Sequence, residues 1–76
     1  MEISYKKLWK LLIDYELTKS QLRDKAKIGA STVAKLGRNE YVAMDVLVRI
    51  CNVFRCQISD IVEITYPDLD SKNKSD

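Results

Sequence analysis

Six basic side chains, Lys19, Arg23, Lys25, Lys27, Lys35 and Arg38, fall in a window from 19 to 38 that holds a single acid, Asp24. That window carries +5 and the rest of the 76-residue chain −3, for a total of +2. A concentrated positive field on a mildly acidic body suits a surface that meets phosphates, although a solvated helical face gives the same count. Other chemistries lack their parts. There is no histidine, so the commonest general base is missing. No nucleophile elbow, glycine-rich phosphate loop or metal-ligand cluster appears, and an enzyme is not expected. The carboxylates Glu40, Asp45, Asp60 and Glu63 stand near expected helix ends, where capping accounts for them. Cys51 and Cys56 lie five apart, a spacing of neither a CxxC redox motif nor paired zinc ligands, and are expected to be reduced packing residues. No cofactor, metal or small-molecule ligand is expected.

The elements that must position these bases are helical. From Tyr5 to Glu16, the residues Leu8, Leu11, Leu12 and Tyr15 recur at three- and four-residue spacing, with Trp9 and Ile13 broadening the apolar stripe so that more than one side should be covered. Thr18 followed by Gln21 is a capping box that opens a second helix to about Lys27, burying Leu22 and Ala26. A third helix is expected from about Ala30 to Leu36, with Val33 and Leu36 inward and Ala30, Ser31, Thr32 and Lys35 outward. Gly37 is placed to end it in the left-handed conformation. After the polar loop 38–41, Val46, Leu47, Ile50, Cys51 and Phe54 give a fourth helix an apolar face over about Met44 to Phe54. A short fifth helix is expected near Gln57 or Ser59, containing Ile61 and Val62. Tyr5, Trp9 and Phe54 read as packing residues, with a dimer contact the alternative for Trp9.

At 76 residues the chain holds one domain, and its 46% hydrophobic and 32% charged residues are the balance of a soluble globular protein. The domain is expected over 1–66, followed by a disordered polar tail over 67–76. Ile3-Ser4-Tyr5 and Ile64-Thr65-Tyr66 are both able to extend, but their pairing is not expected. No apolar run approaches the ~20 residues of a membrane span, and no secretory signal is legible at Met1-Glu2-Ile3, so a cytoplasmic location is expected.

Two helices joined by a very short connection around Ile28-Gly29, the second with a small-residue and basic face, have the form of a helix-turn-helix, in which the second helix enters the major groove. The stretches Leu17-Thr18-Lys19-Ser20-Gln21-Leu22, Ile28-Gly29-Ala30-Ser31-Thr32-Val33-Ala34-Lys35-Leu36, Leu47-Val48-Arg49-Ile50-Cys51 and Ile58-Ser59-Asp60-Ile61-Val62 resemble the XRE family of Cro/repressor-type regulators over residues 5–64. Within it the chain looks most like small stand-alone members from low-GC Gram-positive bacteria, a group that includes VanU-type regulators. The resemblance implies an all-α, compact five-helix, lambda-repressor-like domain. It also implies binding to double-stranded DNA as a homodimer on a two-fold operator. Carried over by position, Ala30, Ser31 and Lys35, with Thr32 beside them, fall where members touch base edges. Lys19, with Ser20 next to it, falls where members hold a phosphate, and Arg38 and Asn39 fall at the backbone-contacting end of the recognition helix. Tyr41 either packs on its loop or donates its hydroxyl to a phosphate.

The chain also departs from the family pattern. Many members pair an arginine on the first helix with a glutamate at the end of the recognition helix, and the matching positions here are Leu12 and Gly37. Both partners are absent together, so no buried charge is stranded. Alanine and serine are weak base readers, which leaves Lys35 the strong contact to guanine and assigns part of the specificity to DNA shape or to a partner. The alternative function is a helix-turn-helix used as a protein-interaction module, such as an antitoxin or anti-repressor.

Overall fold

The computed structural model describes residues 2–66; the tail expected over 67–76 lies outside them. In chain order the elements are β1 (Glu2–Ser4), α1 (Lys6–Asp14), α2 (Lys19–Ala26), α3 (Ala30–Gly37), α4 (Met44–Phe54), a 3-10 turn (Ile58–Asp60) and β2 (Glu63–Thr65). The four helices and the 3-10 turn among the described residues contribute to one core, with Ile3 of β1 packed against it. Tyr5, Leu8, Leu22, Leu36, Ile50 and Ile61 are its fully buried side chains, spread from the entry to α1 to the exit of the 3-10 turn. Burying each apolar residue stabilises the fold by roughly 1.5–3 kcal/mol, so every helix is held by at least one such anchor. Long-range packing centres on α2 against α4, with α3 laid across α2.

Four expectations are corrected, the last at the end of α3. The fifth helix is absent among the described residues, and a single 3-10 turn stands in its place. The N–H of Gln57 donates to Asp60 Oδ2 at 2.9 Å, closing a three-residue turn, and the β-branched run Ile61-Val62 followed by Ile64-Thr65 then favours extended backbone. The two termini do pair, antiparallel, with Ile3 opposite Ile64 and Glu2 opposite Thr65, so a helical domain carries a small two-stranded sheet. Ile13 is not covered but 75% exposed, because α1 is buried through Leu8 and Leu12 on one side only. Tyr15, also in the expected stripe, is more than half exposed and meets the buried Phe54 ring edge to face, with ring centroids 5.1 Å apart and planes at 72°.

The four helices among the described residues end alike. Glu16, Lys27, Asn39 and Arg55 take the left-handed conformation, with φ between 55 and 58°. In each case the next N–H turns back to the carbonyl five residues earlier: Leu17 to Leu12, Ile28 to Arg23, Glu40 to Lys35 and Cys56 to Cys51. This is the Schellman closure, which satisfies the last carbonyls of a helix. It is built here without glycine. Gly37, expected to supply the left-handed residue, remains helical, and Asn39 takes the role two positions later. Asparagine tolerates that conformation better than most residues, and Asn39 has a further task that fixes it there, described below.

Candidate nucleic-acid interface

The capping box read in the sequence is present: Gln21 N–H donates to Thr18 Oγ1 at 3.1 Å and Thr18 N–H to Gln21 Oε1 at 2.9 Å. It fixes where α2 starts and so where Lys19 and Ser20 stand, in the first turn. Helix geometry leaves their two amides without intrahelical acceptors, and no acid occupies that turn to complement the positive end of the helix. Three residues, Lys27, Ile28 and Gly29, connect α2 to α3, with Ile28 buried as the pin of the turn.

On α3, Leu36 is fully buried and Val33 half-buried, so the opposite side of the helix is presented to solvent. Ala30, Ser31, Ala34 and Lys35 are exposed on it, and Thr32 is half-buried at its margin. Lys19, Ser20 and Arg23 of α2 line a single shallow cleft with Ala30 and Val33 of α3. The geometry thus joins the start of α3 to the basic first turn of α2. Two residues of this surface, Arg23 and Ala34, are not among the DNA contacts expected from the sequence, where Arg23 counts only as one base of the positive window. Arg23 is half-exposed and only loosely engaged with Asp24, at 3.9 Å; its position four residues after Lys19, one helical turn, was the available signal. Ala34 offers an open, small side chain on the outward face and carried no chemical signal.

Three of the expected phosphate contacts, Lys19, Arg38 and Asn39, have intramolecular partners. Lys19 Nζ lies 4.6 Å from the centroid of the Trp9 ring, so Trp9 is a half-buried platform for the lysine rather than a closed core residue. Arg38 Nε donates to Glu40 Oε2 at 2.8 Å. That hydrogen bond, ahead of simple charge attraction, raises the Arg38 pKa and holds the Glu40 carboxyl below its ordinary value, with Lys35 adding to the latter. Because the pair is exposed, water screens it, and a phosphate is able to compete for the guanidinium. Asn39 Oδ1 accepts the Tyr5 N–H at 3.2 Å and the Tyr5 hydroxyl donates to the Glu40 carbonyl at 2.8 Å. The loop after α3 is therefore stapled to the start of α1, with the Tyr5 hydroxyl pKa raised by burial. Tyr41 projects from that loop, 76% exposed, and does not pack on it as a buried residue would.

At the two departures from the family pattern, Leu12 is buried in the core and a side chain added at Gly37 would meet open space, so the missing ion pair leaves neither a cavity nor a clash. Among the described residues there is no group of histidine, cysteine or acidic residues able to hold a metal ion. No helix among them is long and apolar enough to cross a membrane.

A family model described as the Cro/C1-type helix-turn-helix DNA-binding domain matches residues 7–68. The fold is similar to a crystal structure titled transcriptional regulator VanUg, with a TM-score of 0.82 and 45% sequence identity, covering 87% of this chain and 88% of that one. No curated protein matches the chain. With most of its length matched by the family model, and α2 and α3 arranged as such a domain requires, the chain belongs to the Cro/C1-type helix-turn-helix DNA-binding family, as a regulator of the XRE type.

Proposed function

We propose that this chain is a sequence-specific regulator of transcription that acts in the cytoplasm and lays α3 in the major groove. Ala30, Ser31, Thr32 and Lys35 meet base edges, while Lys19, Ser20, Arg38, Asn39 and Tyr41, joined by Arg23, face the flanking phosphates. The observation that carries this reading is the cleft shared by Lys19, Ser20 and Arg23 with Ala30, which sets a cationic helix start beside the exposed face of α3. A phosphate there would receive the free amides of the α2 first turn together with two cations. Lys35, the one strong base reader on the exposed face, suits guanine O6 and N7. Asn39 has its side-chain oxygen engaged with Tyr5, so its part is to offer its amide nitrogen and to hold the loop in place.

A single α3 of eight residues spans few base pairs, and two copies on a two-fold site double the contact. We infer a homodimer on DNA for that reason. The test is a selection of bound sequences from random duplex DNA at low salt, followed by anisotropy titration. A two-fold enriched motif whose affinity falls steeply with salt is the expected result. Equal, weak retention of all sequences would overturn the reading, and so would wild-type affinity in a Lys19→Ala/Lys35→Ala double variant.

A further inference from the structure

The two cysteines occupy the two positions of the α4 closure whose side chains a Schellman motif brings together. Arg55 is the left-handed residue, so Cys51 lies four residues before it and Cys56 just after it, and the Cys56 N–H donates to the Cys51 carbonyl at 3.1 Å. Standard bond lengths then keep the two Cα atoms closer than about 7 Å. That overlaps the Cα separations of up to about 6.8 Å that a disulfide spans. Contact between the side chains at these two positions commonly accompanies that closure. At the matching positions of the other closures stand Leu12 and Leu17, Arg23 and Ile28, and Lys35 and Glu40, so only α4 places two thiols across its closing turn. Both are reduced in the structure, Cys51 buried and Cys56 half-buried.

We propose that Cys51 and Cys56 form a modification site: on reaction with a hydroperoxide, the folded chain closes a reversible disulfide across the C-terminal turn of α4. Cys56, the more accessible sulfur, attacks hydrogen peroxide, breaking its O–O bond and giving a sulfenic acid and one water. The Cys51 sulfur then displaces the hydroxyl from Cys56, forming the S–S bond. The hydroxyl leaves with the Cys51 proton as a second water, and the two electrons given up by the sulfurs reduce the peroxide. Burial, with the neighbouring Cys56 and Asp60 adding to it, pushes the Cys51 thiol up to about 11, which assigns it the second, resolving step and not the first attack. The proposal stands apart from DNA binding and does not depend on it.

The test treats the folded, dilute, full-length chain with hydrogen peroxide at neutral pH, blocks remaining thiols and digests it with trypsin without reduction. Arg55 lies between the cysteines, so cleavage there separates them unless they are bridged. The expected product is the peptide Ile50–Arg55 joined to the peptide that begins at Cys56, released by a thiol reductant. A Cys51→Ser variant should give no joined product and instead a sulfenic acid at Cys56 that dimedone traps. The oxidised chain should melt no lower than the reduced one. The proposal is overturned if the joined product forms only in urea, if only links between chains appear, if dimedone labels Cys51 in preference to Cys56, or if the bridge lowers the Tm.

Discussion

Replacing Lys19 with alanine should remove one phosphate contact and leave the reading of bases intact. Each neutralised phosphate adds about 0.9 to the slope of log K against log salt, so the variant's line should be shallower by that amount. Between about 50 and about 200 mM salt this makes the variant's deficit shrink by about 3.5-fold, which is 4 raised to the power 0.9. The platform under Lys19 lowers the gain, since leaving the Trp9 face at 4.6 Å forfeits about 0.5–1 kcal/mol of cation–π attraction at an exposed site. Anisotropy titrations of a labelled duplex at four or five salt concentrations measure the slope. Trp9 emission gives a second readout: it should change when the wild-type protein binds DNA and stay nearly constant in the variant. Lys35→Ala is the contrast, with a loss of about 1–3 kcal/mol on the selected site and little change on unrelated DNA. Parallel salt lines for wild type and a folded Lys19→Ala protein would refute the placement of Lys19 on a phosphate.

Three further outcomes follow from the backbone and from Tyr5. Glu16 is left-handed at the end of α1, where its charge also opposes the helix dipole; relief of about 1–2 kcal/mol of strain outweighs the ~0.5–1 kcal/mol entropy cost of glycine, so Glu16→Gly should raise the Tm by several degrees. At Asn39 both substitutions lose the hydrogen bond to the Tyr5 N–H, but glycine keeps the backbone at ease, and urea melts should rank wild type above Asn39→Gly and Asn39→Gly above Asn39→Ala. The Tyr5 hydroxyl, raised by burial, contributes stability that is fully present below the ordinary tyrosine pKa of 10.0 and lost as pH rises beyond it. Tyr5→Phe should therefore be less stable at pH 7, having lost its bond to the Glu40 carbonyl, yet show a flatter alkaline melting profile; an unchanged profile would count against this assignment.

The features legible in the amino acids alone are those whose partners lie within a turn or two of helix. The Thr18–Gln21 box, the bounds of α4 and the inward set Leu8, Leu12, Leu22, Leu36 and Ile50 all depend on three- and four-residue spacing, and the structure agrees with each. The outward face of α3 follows from the same periodicity. Tertiary structure decided what depends on distant partners. β1 and β2 join residues 2–4 to 63–65, and a three-residue strand has too little local preference to announce a partner that far along the chain. The end of α3 was set the same way. Gly37 had the conformational freedom, but Tyr5, 34 residues upstream of Asn39, supplies the N–H that Asn39 accepts, and the helix stops where that bond forms. Likewise the number of bases in the window was visible, whereas only the folded chain shows Lys19 resting on Trp9, Arg38 paired with Glu40 and Arg23 turned into the cleft. Local sequence fixes each helix and its polar face because those energies act over neighbouring turns; which charges remain available to a phosphate depends on contacts that exist only after the helices have packed.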